Sequence, residues 1–367
     1  MPQIETSLKT LGLSLATLLL CACAQLPQPI TPDAGYSVTP VFFATTRNDT
    51  ARENLNKRFG SERADVSYGV NQVAIPADYP RAHSASFILW NMTLKRDPTD
   101  QVTLLDSQRQ TKKTFFDGLT TLQDQSDEPI LVFIHGFNTP FERAARITAK
   151  LAYDLNLSEP PVLFAWPSHD RASTYPADED NLSWSQPYIT QFYLDLMTNL
   201  PERNFVFIGH SMGTRAMAAG LMDLLEVQPT LRHRIEGVAF AAPDIDRDIF
   251  ARDIAPTLVR FELPITLYAS RKDLAMFASN RLHKQPRAGY AGEDILVMPG
   301  IDTIDASYAE AELIGHEYFY QGSHTILDLY QWLIEGKPPE ERRQLVPVYH
   351  RDGRYWQIQP EDKPEEG

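Results

Sequence analysis

From residue 129 onwards the sequence alternates short, continuous apolar runs with longer amphipathic segments, and this pattern limits the possible folds more than any other feature. A continuous apolar run is typical of a strand buried on both faces, and such strands alternate with helices in parallel sheets. The pattern therefore predicts an α/β fold with a mostly parallel central sheet and helices on both faces. The predicted strands are Pro129–Ile134, Pro161–Trp166, Asn204–Ile208, Gly237–Ala241, Pro264–Ala269 and Ile295–Met298.

Helix signals lie between these strands. Thr139 and Glu142 have the spacing of a capping box, with Pro140 in the first helical position, so a helix is predicted to begin there. The apolar residues of Ile189–Leu200 recur at helical spacing, and Ile326–Ile334 is predicted to be the last packed helix. Extra strands and one weaker helix are predicted before residue 129: Val41–Thr45, Val70–Ile75, Ser86–Leu94, Gln101–Leu105 and the helix Lys112–Gln123.

The charge balance excludes some functions. The chain has 34 Lys and Arg against 48 Asp and Glu, a net charge of −14, and it contains no cluster of basic residues. A nucleic-acid-binding protein usually carries a basic stripe, so nucleic acid is not an expected partner. The acidic balance also argues against direct binding to anionic lipid.

The N-terminus indicates export. The apolar run Leu11–Leu20 follows Lys9, is too short to span a bilayer as a helix, and is similar to the hydrophobic region of a secretory signal. It ends in Leu20-Cys21-Ala22-Cys23, which resembles a bacterial lipobox. The resemblance implies cleavage before Cys23 and a lipid on that residue; the alternative is an ordinary cleaved signal. The expected location is the bacterial cell envelope, lipid-anchored and facing the periplasm or the exterior.

The motif with the clearest chemical meaning is Gly209-His210-Ser211-Met212-Gly213, which fits G-x-S-x-G. It follows a predicted buried strand and precedes a predicted helix. In that context the two glycines allow a tight strand-to-helix turn that presents the serine hydroxyl above the sheet edge. Ser211 is therefore the candidate nucleophile; the alternative is a glycine-rich turn with a capping serine.

A second loop agrees with this interpretation. His135-Gly136-Phe137-Asn138 follows the strand Pro129–Ile134 and precedes a helix. Such a loop supplies one backbone N–H of an oxyanion hole, and the residue after the nucleophile supplies the other. The candidates are Phe137, or its neighbour Asn138, and Met212. For His135 we favour a structural role.

A serine nucleophile needs a base, and the base needs an acid that orients it. With this kind of elbow the chain order is serine, acid, histidine. Asp273 follows one predicted strand, and Asp244 and Asp246 follow the strand before it. His316 and His324 are the histidines between the last predicted strand and the last helix.

Several motifs in this order resemble a bacterial family of esterase- and lipase-like α/β-hydrolases described as a domain of unknown function. The resemblance covers about residues 38–335 and implies an α/β-hydrolase fold with extra N-terminal strands. Glu317 departs from the pattern, since a small polar residue is expected after Gly315-His316. The motifs are Val41-Phe42-Phe43-Ala44-Thr45-Thr46-Arg47, Tyr68-Gly69, Ile75-Pro76, Phe133-Ile134-His135-Gly136-Phe137-Asn138, Leu163-Phe164-Ala165-Trp166-Pro167-Ser168, Gly209-His210-Ser211-Met212-Gly213, Ala242-Pro243-Asp244-Ile245-Asp246, Tyr268-Ala269-Ser270, Asp273 and Gly315-His316.

The expected triad is Ser211, Asp273 and His316. Asp273 follows its strand as in the resembled family, whereas Asp244 abuts a proline and suits a turn. His324 is expected in the first turn of the last helix, where the helix dipole disfavours an imidazolium. The expected activity is hydrolysis of a small acyl ester through an acyl-enzyme, with no metal or cofactor. The alternatives are amide or peptide hydrolysis, acyl transfer, or a non-catalytic envelope lipoprotein.

The expected organisation is a signal peptide over 1–22, a Pro-rich tether over 23–37, and a hydrolase domain over 38–336 with a C-terminal extension over 337–367. Within the domain, 38–127 is a strand-rich N-terminal region and 128–336 is the catalytic core. Two longer loops, 167–184 and 270–294, carry aromatic side chains that could line an acyl site or pack the loops down. These are Tyr175, Trp184, Phe277 and Tyr290.

Overall fold

The computed structural model describes residues 35–81, 102–122, 128–273, 279, 281–309, 319 and 322–359. These residues form an eleven-stranded sheet in the order β10-β11-β9-β8-β7-β6-β4-β5-β1-β2-β3. Seven strand pairings are parallel and three are antiparallel, so the predicted mostly parallel sheet is confirmed.

The strands are β1 (Tyr36–Asp49), β2 (Phe59–Pro76), β3 (Thr103–Gln110), β4 (Ile130–Ile134), β5 (Val162–Ala165), β6 (Phe205–His210), β7 (Ile235–Ala241), β8 (Ile265–Ala269), β9 (Asp302–Asp305), β10 (Leu345–His350) and β11 (Gly353–Ile358). The described helices are α1 (Lys112–Leu122), α2 (Phe141–Asp154), α3 (Tyr175–Asn199), α4 (Gly213–Val227), α5 (Arg247–Ile249), α6 (Ala255–Arg260) and α7 (Ser323–Leu333). A π-helical turn, Phe250–Ile254, joins α5 to α6.

Two apolar layers enclose the sheet. Strand β4 is buried along its whole length, and its residues alternate between the layers because successive side chains point to opposite faces of a strand. Val132 packs into the layer that contains α1, α3, α4 and α6. Phe133 packs into the opposite layer, with α2 and α7. The helices therefore cover both faces, as predicted.

The extra N-terminal strands are present. β1 lies parallel to β5 and antiparallel to β2, and β3 extends this edge of the sheet. β1 begins at Tyr36, two residues before the predicted start of the domain. The predicted signal, almost all of the tether and the predicted strand Ser86–Leu94 lie outside the described residues.

One predicted strand is wrong. Ile295–Met298 is a loop, and the strand that pairs with β8 is β9, Asp302–Asp305. Ile295 and Leu296 are buried in the core, which accounts for their apolar side chains. The Leu296 carbonyl accepts a bond from the Thr303 hydroxyl (2.8 Å) rather than from a neighbouring strand. Apolar content therefore marked burial here and not strand pairing.

Two helix starts also differ from the predictions. The N-cap of α2 is Pro140 rather than Thr139, because the Thr139 hydroxyl donates to the Phe137 carbonyl (3.1 Å). Helix α3 begins at Tyr175, inside the segment predicted to be a long loop over 167–184. The start of α7 agrees with the expected position of His324 in its first turn, since the N-cap is Gly322 and the first residue is Ser323.

The C-terminal extension completes the sheet. β10 and β11 form a hairpin, and β11 pairs in parallel with β9 through Trp356 and Ile304. The apolar segments of the extension are thus strands of the same sheet. Among the helices of the described residues, none is both long and apolar enough to cross a bilayer.

Candidate active site

Ser211 lies at a sharp turn between β6 and α4. Its backbone has φ +53°, a left-handed conformation that is costly for a residue with a side chain. The turn is held by the Ser211 N–H, which donates to the Ala241 carbonyl (2.8 Å), and by the Ser211 carbonyl, which accepts from the Thr214 N–H (3.1 Å). This is the geometry of a nucleophile elbow, as the G-x-S-x-G motif predicts.

Glycines allow the neighbouring backbone to approach the elbow. A Cβ on Gly213 would lie 2.3 Å from the His135 carbonyl oxygen, and one on Gly136 would lie 2.8 Å from the Ser211 Cβ. Residues 135–139, which we name the β4 loop, therefore pack directly against Ser211. The loop that was predicted to supply an oxyanion donor lies beside the predicted nucleophile.

Within the β4 loop, His135 is buried and stacks on Trp166, with ring centroids 5.1 Å apart. Its Nδ1 lies 2.8 Å from the Gly136 carbonyl, and the Trp166 indole donates to the His135 carbonyl (2.8 Å). Burial, with the nearby Arg47 charge, lowers the pKa of His135 to about 3. These contacts agree with the structural role that we favoured for this histidine.

The two predicted oxyanion residues come from the elbow itself and from the β4 loop beside it. Met212 is fully buried and is the N-cap of α4. Phe137 is half-buried, and its ring meets that of Tyr175 edge-on at 5.1 Å. Asn138, the alternative donor, is exposed and has φ +56°.

Asp273 is fully buried in the turn that follows β8. β8 is separated from β6 by β7 alone, and adjacent strands lie about 4.8 Å apart, so a histidine side chain between the two loops could span the gap. The Arg271 N–H donates to the Ser307 hydroxyl (2.9 Å), which ties this turn to the loop after β9. Along the chain, that loop leads to His316, which lies outside the described residues.

Asp244 has a different environment. Its carboxylate accepts a bond from Ser279 (2.6 Å) and from the Tyr175 hydroxyl, and forms ion pairs with Arg215 and Arg287, each at 3.2 Å. Burial alone would raise its pKa, but these partners outweigh burial and the pKa is lowered. Both carboxylate oxygens are therefore used by partners other than histidine.

Glu179 and His283 extend this group, since Glu179 accepts from Arg215 (2.6 Å) and lies 3.1 Å from the His283 Nε2. We name the seven residues the Asp244 cluster: Tyr175, Glu179, Arg215, Asp244, Ser279, His283 and Arg287. The cluster joins four segments: the start of α3, the start of α4, the loop after β7 and the segment that begins at residue 279. Asp246 lies outside it and caps α5, accepting from the Asp248 and Ile249 N–H groups (both 3.0 Å).

His324 lies in the first turn of α7, as predicted, and is nearly buried. Its Nδ1 is 3.3 Å from the Ser323 hydroxyl.

Apart from Tyr175, the aromatic residues that were predicted to line an acyl site are dispersed. Trp184 packs on Tyr188 within α3, and Tyr290 lines an open cavity of about 330 Å³ with Lys284, Gln285, Pro286, Glu293 and Asp294. Phe277 lies outside the described residues.

Two features near the site were not predicted. A buried aspartate, Asp178, orients His169 through its Nδ1 (2.5 Å) and accepts from the Ser168 hydroxyl (2.8 Å). The buried guanidinium of Arg47 donates to backbone carbonyls of three separate segments. The only sequence signal for either was that Arg47 and Ser168 end two of the motifs noted above.

A doubly covered parallel sheet with a serine elbow beside a glycine-containing loop defines an α/β hydrolase. The model of a family described as "Alpha/beta hydrolase of unknown function (DUF900)" matches residues 109–332, more than half of the chain, and the protein belongs to this family. The resemblance seen in the sequence is confirmed for the family and the fold, and no curated protein matches the sequence.

Solved structures include distant likenesses. Lipase B of Aspergillus fumigatus is 10% identical, with 61% of this chain and 57% of that chain covered and a TM-score of 0.38. A carboxylesterase of Bacillus subtilis is 11% identical (59% and 87% covered, TM-score 0.30), and an esterase of Pyrobaculum calidifontis is 12% identical (58% and 79% covered, TM-score 0.31). The chain thus spans just over half the length of the lipase.

Proposed function

We propose that the protein is a serine hydrolase that cleaves carboxylic esters through an acyl-enzyme. The observation that carries the proposal is the left-handed Ser211 at the β6–α4 turn, with the β4 loop packed against it. A strained serine at this position is preserved only where the surrounding structure fixes it, and such strain concentrates at functional sites.

The proposed reaction has two halves. The Ser211 hydroxyl attacks the acyl carbonyl and passes its proton to His316, whose imidazolium is stabilised by Asp273. The backbone N–H groups of Met212 and Phe137 stabilise the oxyanion, and the start of α4 favours the same negative charge. His316 then protonates the leaving alcohol, and water releases the acyl group by the reverse sequence.

We assign the acid to Asp273 because of what surrounds each candidate. The carboxylate of Asp244 is already held by two arginines, a tyrosine and a serine, so it is committed to joining three segments. Asp273 is buried after β8, beside the loop that leads to His316. The choice of His316 over His324 rests on the helix dipole at the start of α7.

The test of the nucleophile uses the full-length protein, a fluorophosphonate probe and p-nitrophenyl esters of graded acyl length. Ser211→Ala should abolish labelling and ester turnover while the unfolding temperature stays within a few degrees. Ser183→Ala, an exposed serine on α3, is the matched control and should behave as the wild type. Labelling of Ser211→Ala at the wild-type rate would refute the assignment, and turnover of p-nitroanilides but not esters would indicate an amidase.

The base is tested by the same assay. His316→Ala should lower kcat by several orders of magnitude with KM little changed, because the group acts on the proton and not on substrate binding. His324→Ala should change kcat little. The reverse pattern, in folded variants, would assign the base to His324.

We also propose that Cys23 is lipidated and that the protein is anchored in a bacterial envelope. The support is the lipobox-like Leu20-Cys21-Ala22-Cys23 after an apolar run. Two or more acyl chains are needed for stable anchoring. Mass spectrometry of the mature N-terminus should show an acylated Cys23, and Cys23→Ser should move the protein to the soluble fraction. A mature chain with an unmodified terminus would refute the proposal.

A further inference from the structure

Arg47 lies near the end of β1. It joins three segments at the end of the sheet where the parallel strands finish, the same end at which Ser211 follows β6. Its guanidinium donates to the Thr139 carbonyl at 2.7 Å and to the Ser168 and Gly60 carbonyls at 3.0 Å. Thr139 ends the β4 loop, Ser168 lies in the loop after β5, and Gly60 lies at the start of β2. One side chain therefore fixes the spacing of these three segments.

The positive charge of Arg47 is buried and lies against backbone carbonyl groups. The residue is 2% exposed, and no carboxylate among the described residues lies within ion-pair distance of it. Glu142 and Asp178 act on it only from longer range, and burial lowers its pKa to about 10. Burying an unpaired charge is expensive, so backbone carbonyl dipoles must supply most of its stabilisation.

Thr139, the last residue of the β4 loop, is held on both sides. We call the three bonds from Arg47 to backbone carbonyls the Arg47 clamp. The Thr139 carbonyl accepts from Arg47, and the Thr139 N–H donates to the Ser168 hydroxyl (3.3 Å). The Thr139 hydroxyl reaches back to the Phe137 carbonyl (3.1 Å). Between them, Asn138 adopts a left-handed conformation, which asparagine tolerates, and this conformation turns the chain between Phe137 and Thr139.

We propose that Arg47 is a positioning residue for the oxyanion hole: by clamping Thr139 it holds the Phe137 and Asn138 peptide groups where they meet the developing oxyanion at Ser211. The inference rests on the proposed function of Ser211. Oxyanion donors are effective only when they are fixed before the reaction, because a donor that must reorganise loses its advantage over water. A displacement of about 1 Å can cost about 10²-fold in rate.

The experiment compares Arg47→Met and Arg47→Lys with a matched control, Arg234→Met. Arg234 also donates to three backbone carbonyls, those of Met197, Leu200 and Arg203. It directly precedes β7, so it lies where the parallel strands begin, at the opposite end from Ser211. The control therefore removes a comparable clamp far from Ser211. The measurements are kcat and KM on a p-nitrophenyl ester, the Ki of a trifluoromethyl ketone, and amide hydrogen exchange of residues 135–139.

Arg47→Met should lower kcat about 10²-fold with KM changed less than about threefold, the size expected for loss of an oxyanion donor. The ketone, which adds the serine hydroxyl to form an oxyanion, should bind weaker by a similar factor. Arg47→Lys keeps the charge and some of the bonds and should recover part of kcat. Exchange in the β4 loop should rise in Arg47→Met, whereas Arg234→Met should lower the unfolding temperature and leave both kcat and the loop unchanged.

A folded Arg47→Met or Arg47→Lys with wild-type kcat would overturn the inference, as would an equal loss of kcat in Arg234→Met. If Arg47→Met fails to fold, Arg47→Lys decides. If the wild type neither reacts with a fluorophosphonate nor turns over esters, the proposed function fails separately. The exchange measurement then still decides, because unchanged protection of residues 135–139 would show that Arg47 does not position the β4 loop.

Discussion

At the scale of single residues, the site depends on bonds that hold its backbone in place. Ser211 adopts a conformation that costs roughly 1–2 kcal/mol for an L-residue with a Cβ. It is retained because a bond to Ala241 and a bond from Thr214 fix the two peptide groups that flank Ser211. Asp244 and Arg47 act in the same way on neighbouring loops. Substitutions of Asp244 and Arg47 should therefore separate positioning from the chemistry that we propose for Ser211.

Substitution of each of the two candidate acids should have a different effect. Asp273→Asn should lower kcat by about 10³- to 10⁴-fold without loss of stability, because the imidazole loses its orienting carboxylate. Asp244→Asn should instead lower the unfolding free energy by roughly 3 kcal/mol or more, since Arg215 and Arg287 lose the carboxylate that they share. Steady-state kinetics and urea unfolding of both variants measure this. Near-wild-type kcat in Asp273→Asn, together with loss of kcat in a stable Asp244→Asn, would exchange the roles.

His135 predicts a pH dependence of stability. Its pKa is lowered to about 3 by burial and the Arg47 charge, whereas the unfolded chain takes up the proton near its ordinary value of 6.5. Between these values the unfolded state binds more protons, so stability falls as the pH falls, by up to about 1.4 kcal/mol per pH unit. Urea unfolding between pH 6.5 and 4 should show a shallower decline in His135→Gln than in the wild type. Equal slopes would contradict the assignment.

At the scale of elements, the elbow requires α4 to start against the end of β4. Gly213→Ala would place its Cβ 2.3 Å from the His135 carbonyl and 2.7 Å from the Ile134 carbonyl, both of which belong to rigid backbone. The substitution should cost about 1–3 kcal/mol and lower kcat, because α4 must move away from the β4 loop.

The control for this prediction lies in the same helix. A Cβ on Gly220 would approach the fully buried Tyr193 ring at 2.9 Å, and alanine improves helix propensity by about 1 kcal/mol, which offsets part of the cost of that contact. Gly220→Ala should therefore lower the unfolding temperature less than Gly213→Ala does, and it should leave kcat unchanged because residue 220 lies about two helical turns from the elbow. A Gly213→Ala variant that is as stable and active as Gly220→Ala would contradict the packing described for the elbow.

The sequence allowed the elements with strong apolar patterns to be predicted and missed those without one. β4 and β6 are continuous apolar runs, so their positions were predictable, as was the elbow between β6 and α4. β9 has the sequence DTID and pairs without such a run. The first half of α3, PADEDNLSWSQ, has little apolar periodicity, so its helical state follows from tertiary contacts. The Asp244 cluster was not predictable because its members come from four distant segments.

At the scale of the whole molecule, the sheet extends beyond the residues that match the family. The hairpin β10–β11 packs Leu345, Trp356 and Ile358 into the apolar layer that contains α2 and α7. The hairpin also covers the edge of β9. The last two strands of the sheet thus come from the segment that was predicted as a C-terminal extension.

Truncation after Gln344 should accordingly destabilise the protein by several kcal/mol, since burial of each large apolar side chain contributes about 1.5–3 kcal/mol. Urea unfolding measures the change. Tyr349→Ser is the control, because Tyr349 is 80% exposed in the same hairpin and should leave stability unaltered. A truncated chain with the wild-type unfolding midpoint would show that the hairpin is an accessory to the fold.

The direction of β1 sets the end of the molecule from which an N-terminal anchor would hold it. β1 runs parallel to β5, with Phe42 opposite Val162, so Tyr36 lies about 20 Å beyond the amino end of β5. Ser211 follows the carboxyl end of β6, so it lies at the opposite end of the parallel strands from Tyr36. An anchor on Cys23, as we propose, would hold the molecule from its Tyr36 end, which favours an arrangement with Ser211 away from the membrane and facing the aqueous compartment. Esters dissolved in that compartment should then be cleaved faster than the same esters carried in the enzyme's own bilayer.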